Sequence, residues 1–293
     1  MIRVADEVRE ALAAGSAVVA LETTLVAHGF PPGEGVEVGL ESERQVREAG
    51  AVPGAVGILD GEVCVGLTED ELARFGSDAR KVGPRDLAAA AVQGAVGATT
   101  VGGTLAVART AGIGVLATGG IGGVHRGFPD PPDVSADLGE LARTPALVVS
   151  AGVKSLLDVP ATAEFLESLG VPVLGFRVDT VPLFYAATGG PPVSARVESA
   201  EEAARIARRH WELGGGGLVL ARPPDEPLED VEPLIDEALR AATAIGISGQ
   251  AVTPYVLAHL HRESGGITEA ANKALVAQNA RLAGEVAVAL AAG

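Results

Sequence analysis

Short apolar runs recur along this chain, and helical patterns fill the intervals between them. The runs include AVVALE (17–22), VLATGG (115–120), ALVVSAG (146–152), VPVLGFRV (171–178) and GGLVLAR (216–222). Runs this short and this apolar read as buried strands, and VLATGG and ALVVSAG end in small residues. Strands alternating with helices predict an α/β fold: a layered α/β/α arrangement around a central mixed sheet. Helices are predicted over 4–14, 36–49, 103–111 and 199–213, and ATTVGG (98–103) reads as a further strand. AVGILDGEVCVGL (55–67) reads as a hairpin turning at Asp60-Gly61, after which Thr68 caps the acidic helix TEDELARF. Pro84 suits the first turn of a helix PRDLAAAAVQ, and residues 23–35 read as a loop. The remainder, 229–293, forms a helical C-terminal segment of three helices. No linker or internal repeat divides the chain, so a single domain over 1–293 is expected.

With 293 residues, 47% of them hydrophobic, the chain can bury a large core. Residues 91–108 carry no charge, but they are rich in Ala, Gly and Thr and broken by Gly97, Gly102 and Gly103. They read as short packed elements and not as a membrane span. The net charge of −16 repels polyanions, so nucleic acid is not an expected partner. A small phosphorylated ligand remains compatible, because a few local donors outweigh the mean field. One cysteine, Cys64, excludes an internal disulfide and suits a reducing cytoplasm. The N-terminus reads as an amphipathic helix without a targeting signal.

Lysine is scarce here: Lys81, Lys154 and Lys273 stand against a background of arginine. Lys154 follows a buried run in LVVSAGVKSLLD (147–158). It is either a structural lysine at a strand end or a nucleophile, since a desolvated amine attacks carbonyl carbon where a guanidinium stays charged. Glu22 ends another buried run, where it either caps backbone amides or keeps a proton to donate. TGGIGGVHRG (118–127) offers backbone N–H groups for an anion, with His125 and Arg126 as further donors, or forms only tight turns. Asp130, Asp133 and Asp137 gather with Ser135 on a Pro-stiffened loop that suits a hard cation such as Mg²⁺ or Mn²⁺; Ser135 or Asp137 also suits a helix cap. Lys81 and Arg85 in KVGPRDL can hold a phosphate or form a solvated turn. His28 lies near Glu22, and Asn272 and Asn279 share one face of the last helix. A lysine nucleophile with an acid, phosphate donors and a metal points to C1 of a sugar phosphate. An aldolase, an isomerase and a glycosidase all fit that chemistry.

The segments ALETTLVAHGFP, KVGPRDL, GATTVGGT, ATGGIGGVHRG, DVSADLGEL and SAGVKSLLD stand in the order and near the spacing of a known family. Together with GGLVLARPP and NKALVAQNARLAGEVA, they make nearly the whole chain resemble the pseudouridine-5′-phosphate glycosidases, also called the indigoidine synthase A family. The resemblance implies reversible cleavage of the C1′–C5 bond of pseudouridine 5′-phosphate to uracil and ribose 5-phosphate. It implies Lys154 as the nucleophile that attacks C1′ after the ribose ring opens, and Glu22 as proton donor. It implies Asp133 as a ligand of Mn²⁺, and Lys81, Val101, Ser135, Ala136 and Asp137 as substrate contacts, with His125 and Asn279 as further pocket residues. A homotrimer acting in the cytoplasm on a small-molecule substrate is likewise implied. Two departures stand out: ALETT replaces a common ALEST, and TVGGT replaces a common TVAST, which removes a serine hydroxyl near Val101. The reading kept alongside is a Schiff-base aldolase acting on another sugar phosphate.

Overall fold

A computed structural model gives the fold, and it describes residues 2–130, 132–228 and 230–293. The strands in chain order are β1 (Ile2–Val4), β2 (Val18–Glu22), β3 (Val52–Leu59), β4 (Glu62–Val65), β5 (Arg80–Val82), β6 (Gly97–Thr99) and β7 (Val115–Ala117). They continue with β8 (Val124–His125), β9 (Leu147–Ser150), β10 (Leu157–Asp158), β11 (Val173–Phe176), β12 (Ala195–Val197) and β13 (Leu218–Ala221). The main sheet runs β1-β4-β3-β2-β7-β9-β13-β11-β12, and the pair β5–β6 joins it at β3. Its centre is parallel from β3 through β2, β7, β9, β13 and β11 to β12. Antiparallel pairing enters only where β3 meets β4 and β6, so the sheet is mixed, as predicted.

The central strands are apolar up to their carboxyl ends, where β2 closes on Glu22 and β9 on Ser150, because helices cover both faces of the sheet. In β2, Val18 and Ala20 join one core while Val19 and Leu21 join the other, as the period of two requires. Helices Val101–Ala111, Ala136–Arg143 and Val159–Ser168 pack on the first side; Glu34–Glu48, Ala200–Glu212 and Ile267–Ala291 pack on the second. The hairpin turns at Asp60 (φ 54°) and Gly61 (φ 83°), a left-handed pair that suits the twist of its strands. Thr68 closes a capping box with Glu71, as the sequence indicates. The three C-terminal helices are Glu232–Ala244, Val252–Glu263 and Ile267–Ala291. No helix among the described residues is long and apolar enough to cross a membrane.

Several short elements depart from the reading of the sequence. Residues 2–4 pair with β4, so the first helix begins at Asp6 and not at position 4. Lys81 lies within β5 and not on a basic turn, and Pro84 precedes the helix Leu87–Val92 without entering it. The predicted loop after Glu22 contains a helix, Thr24–His28. The end of the glycine run contributes β8, which pairs with β10 in a separate two-stranded ribbon. Strands of two or three residues and a helix of little more than one turn are too short to show a period, and tertiary contacts decide them. Pro131, one of the two prolines expected to stiffen the aspartate loop, lies outside the described residues.

Candidate active site

In an open parallel sheet the carboxyl ends of the strands form the natural crevice. Here β2 ends at Glu22, β7 leads into Thr118, and β9 leads through Gly152 to Lys154. All three residues face one cleft, which Lys81 reaches from β5. The cleft has two arms that meet at Glu22, Lys81 and Lys154. The outer arm encloses about 1100 Å³ counting its open mouth, and Arg85, His125, Asp133, Ser135, Ala136 and Asp137 line it. The inner arm encloses about 460 Å³ and is more apolar, with Leu25, His28, Phe184, Leu257 and Asn272 around it. A polar arm beside an apolar arm, with reactive groups between, suits a ligand with a charged end and a flat neutral end.

Burial dominates the electrostatics. Glu22 is 8% exposed, and burial raises its pKa above the ordinary carboxylate value. Lys154 opposes that shift, as does the Thr118 hydroxyl, which donates a hydrogen bond to Glu22 Oε1; the Asp137 charge reinforces it. Burial pushes the Lys81 ammonium down to about 8, and the neighbouring Lys154 charge adds to the effect. Lys81 Nζ donates to the Gln250 carbonyl at 3.1 Å. Burial also lowers the pKa of His125, against the pull of Asp133. Its Nδ1 lies 3.7 Å from Asp133 Oδ2, and its backbone N–H donates to the Asp133 carbonyl.

Part of the glycine run forms tight internal contacts, the second of the two readings its sequence allows. Ile121 N donates to the Gly152 carbonyl, Gly122 N to Asp137 Oδ2 at 2.9 Å, and Val124 N to Thr162. Those three amides are engaged inside the protein, so this part of the run is a seam between the lysine strand and its neighbours, while Gly119 and Gly120 line the inner arm. Close approach explains its glycines: a Cβ on Gly122 would lie 2.3 Å from Ser135 Oγ, and one on Gly123 would lie 2.3 Å from Thr162 Oγ1. Arg126 is not an anion donor. Its guanidinium bonds Asp236 at 2.9 Å, Glu232 at 2.7 Å and the Ser155 carbonyl at 2.7 Å.

The aspartate loop divides its work. Ser135 caps the helix Ala136–Arg143, accepting from Asp137 N. Asp137 is buried, and its two oxygens accept from Gly102 N at 2.7 Å and Gly122 N at 2.9 Å. Asp133 stays half-buried at the cleft wall, free of such backbone bonds. Among the described residues, no three His, Cys, Asp or Glu side chains converge as a metal cage. Asp133 with His125 beside it is a donor set for a largely hydrated hard cation.

Val101 opens the helix Val101–Ala111 with its side chain in the core, and Thr100 faces the cleft in its place. Any ligand contact from Val101 is therefore confined to its backbone. Asn279 lies one layer behind the cleft, donating to the Thr118 and Gly119 carbonyls, while Asn272 lines the inner arm. Lys273, unassigned in the sequence, pairs with Glu34 and Glu269 and ties two helices together. Phe184 lines the inner arm with φ 65°, an uncommon conformation for a bulky residue that no sequence pattern announces.

The model of the family described as "Indigoidine synthase A like protein" matches residues 7–289. A protein from Herpetosiphon aurantiacus named pseudouridine-5′-phosphate glycosidase is 48% identical over 295 residues, covering 98% of this chain and 97% of its own. One of the same name from Streptomyces griseus is 49% identical, covering 97% of this chain and 91% of its own. Among solved structures, the prealnumycin C-glycosynthase AlnA, crystallised in complex with ribulose 5-phosphate, superposes with a TM-score of 0.90 at 42% identity, over 100% of this chain and 97% of AlnA. An indigoidine synthase A-like protein from Thermotoga maritima gives 0.89 at 37% identity, over 99% of this chain and 97% of that protein. Matched along nearly its entire length in both sequence and fold, the chain belongs to the indigoidine synthase A-like family.

Proposed function

We propose that this chain is an enzyme, a pseudouridine-5′-phosphate glycosidase that reversibly cleaves the C1′–C5 bond to give uracil and ribose 5-phosphate. The observation that carries the reading is the convergence of Glu22 and Lys154 on one two-armed cleft, in a chain whose full-length relatives bear that name. A C–C glycosidic bond has no heteroatom leaving group, so the departure used by ordinary glycosidases is unfavourable. A lysine adduct at C1′ supplies the missing electron source.

In the proposed sequence Glu22 gives its proton to the ring oxygen as the C1′–O4′ bond breaks, and Lys154 Nζ adds to C1′. The proton that the nitrogen loses returns to Glu22. Glu22 then protonates C5 of the base while the Lys154 lone pair forms the C1′=N bond, so the C1′–C5 electrons stay with uracil. Water adds to the iminium, which releases ribose 5-phosphate as the aldehyde and regenerates the amine and the protonated acid. Burial supports this role of Glu22 by keeping its proton toward neutral pH. The outer arm, with Lys81 and Arg85, suits the phosphate, and the inner arm suits the base. A divalent cation such as Mn²⁺, held by Asp133 with His125 beside it, would supply positive charge for the sugar phosphate. The AlnA complex with ribulose 5-phosphate supports a sugar-phosphate pocket, since that relative shares the fold.

A homotrimer in the cytoplasm completes the reading. The experiment is uracil release from pseudouridine 5′-phosphate with and without Mn²⁺. Uracil with ribose 5-phosphate is the expected product pair. A two- or three-carbon aldehyde in place of uracil from a sugar phosphate would point to an aldolase.

A further inference from the structure

The strip Thr118–Gly120 touches both reactive side chains. Thr118 Oγ1 donates to Glu22 Oε1, and both residues are buried. Two residues on, a Cβ at Gly120 would lie 3.3 Å from Lys154 Cγ and 2.8 Å from the Phe184 ring. The bare backbone of Gly120 therefore packs against the lysine stem. Behind the strip, Asn279 is fully buried on the helix Ile267–Ala291. Its Nδ2 bridges the carbonyls of Thr118, at 2.8 Å, and Gly119, at 3.2 Å. This side-chain amide joins two backbone bonds, Thr118 N to the Val149 carbonyl and Ala151 N to the Gly119 carbonyl, in holding the point at which β7 ends and the glycine run begins.

We propose that Thr118 and Asn279 are positioning residues for the reaction: Asn279 fixes the strip that spaces Glu22 from Lys154, and Thr118 occupies Glu22 Oε1 so that the transferable proton resides on Oε2. The proposal rests on the glycosidase reading given above. Its physical basis is that a carboxylic acid carries one proton, and the oxygen already accepting a hydrogen bond is the poorer place for it. With Oε1 tied to Thr118, only Oε2 is left to deliver a proton to substrate. The charged groups that face Glu22 are Lys154 after β9, Lys81 on β5 and Asp137 on the helix Ala136–Arg143. His28, on the helix that follows β2, shares the inner arm with it. None of them replaces the Thr118 donor. Removing that donor destabilises the carboxylate form, so Glu22 then titrates at higher pH.

The test compares Thr118→Val, Thr118→Ser and Asn279→Ala with wild type. Two readouts are used: carbon-13 titration of the Glu22 carboxyl in the free enzyme, and steady-state uracil release. Thr118→Val is expected to move the Glu22 titration upward and to lower kcat about 10- to 100-fold with KM little changed. Thr118→Ser is expected to restore both. Asn279→Ala is expected to lower kcat and to slow borohydride trapping of ribose 5-phosphate on Lys154. An unmoved Glu22 titration in Thr118→Val, or a serine variant as impaired as the valine one, would overturn the proposal. Should the valine variant not fold, Thr118→Ala gives the same two readouts without added volume. Because the titration needs no substrate, its outcome stands apart from whether pseudouridine 5′-phosphate is the substrate at all.

Discussion

Glu22 sits at the end of a strand covered on both faces, and its surroundings compete over its proton. Burial holds the proton on; Lys154, the Thr118 hydroxyl and Lys81 favour its loss. Because burial prevails, the folded state binds a proton that the unfolded chain releases above the ordinary carboxylate value of 4.5. Stability from this group is then complete below that value and declines as pH rises toward the folded pKa. Glu22→Gln is accordingly expected to raise Tm at pH 7–8. Calorimetry below pH 4.5 should find that gain gone. The same variant should release uracil about 10²- to 10⁴-fold more slowly, as loss of a general acid requires. Asp137→Asn leaves one of two buried backbone N–H groups facing an amide donor, and should cost about 1–3 kcal/mol in denaturant unfolding. Its effect on Mn²⁺ affinity should be smaller than that of Asp133→Asn, measured by metal titration. The placing of Glu22 and Lys154 at strand ends was legible, because Glu22 follows an apolar run without a break and Lys154 stands just past another. Arg126 was not, because its acid partner Asp236 lies 110 residues away in sequence.

At the scale of elements, strands of four or more residues with apolar neighbours declared themselves, as β2, β3, β9, β11 and β13 show. Elements such as β1, β5, β8, β10 and β12 did not: they have three or fewer residues and, unlike β7, no apolar run to mark them, so they owe their form to a partner strand. The glycine run illustrates a deeper ambiguity. Glycine marks any place where backbone must approach closely, whether the neighbour is a phosphate or another part of the chain. Here the neighbours are Ser135, Asp137 and Thr162. Gly122→Ala should therefore destabilise the fold by about 1–3 kcal/mol through overpacking, read as a lowered Tm. It should also raise KM, because Ser135 and Asp137 line the phosphate-facing arm.

Across the whole molecule, the sheet order places β2, β7 and β9 side by side, which brings residues 22, 118 and 154 to one edge of the sheet. Alternation of strand and helix made the layered class legible, but strand order is a long-range property that no local pattern encodes. For the same reason the two arms of the cleft, one polar and one apolar, emerged only from the fold. They suit the proposed substrate, which carries a phosphate at one end and a neutral base at the other. The homotrimer is tested by light scattering, which should give three times the 29.4 kDa of the chain. The central claim is that carbon–carbon cleavage proceeds through Lys154. Its most direct test is mass spectrometry of the enzyme after reaction with pseudouridine 5′-phosphate in the presence of borohydride. The account predicts a reduced ribose 5-phosphate adduct on Lys154 alone, formed as uracil is released. Uracil released by wild type with Lys154 unmodified, or by Lys154→Ala at an undiminished rate, would contradict it.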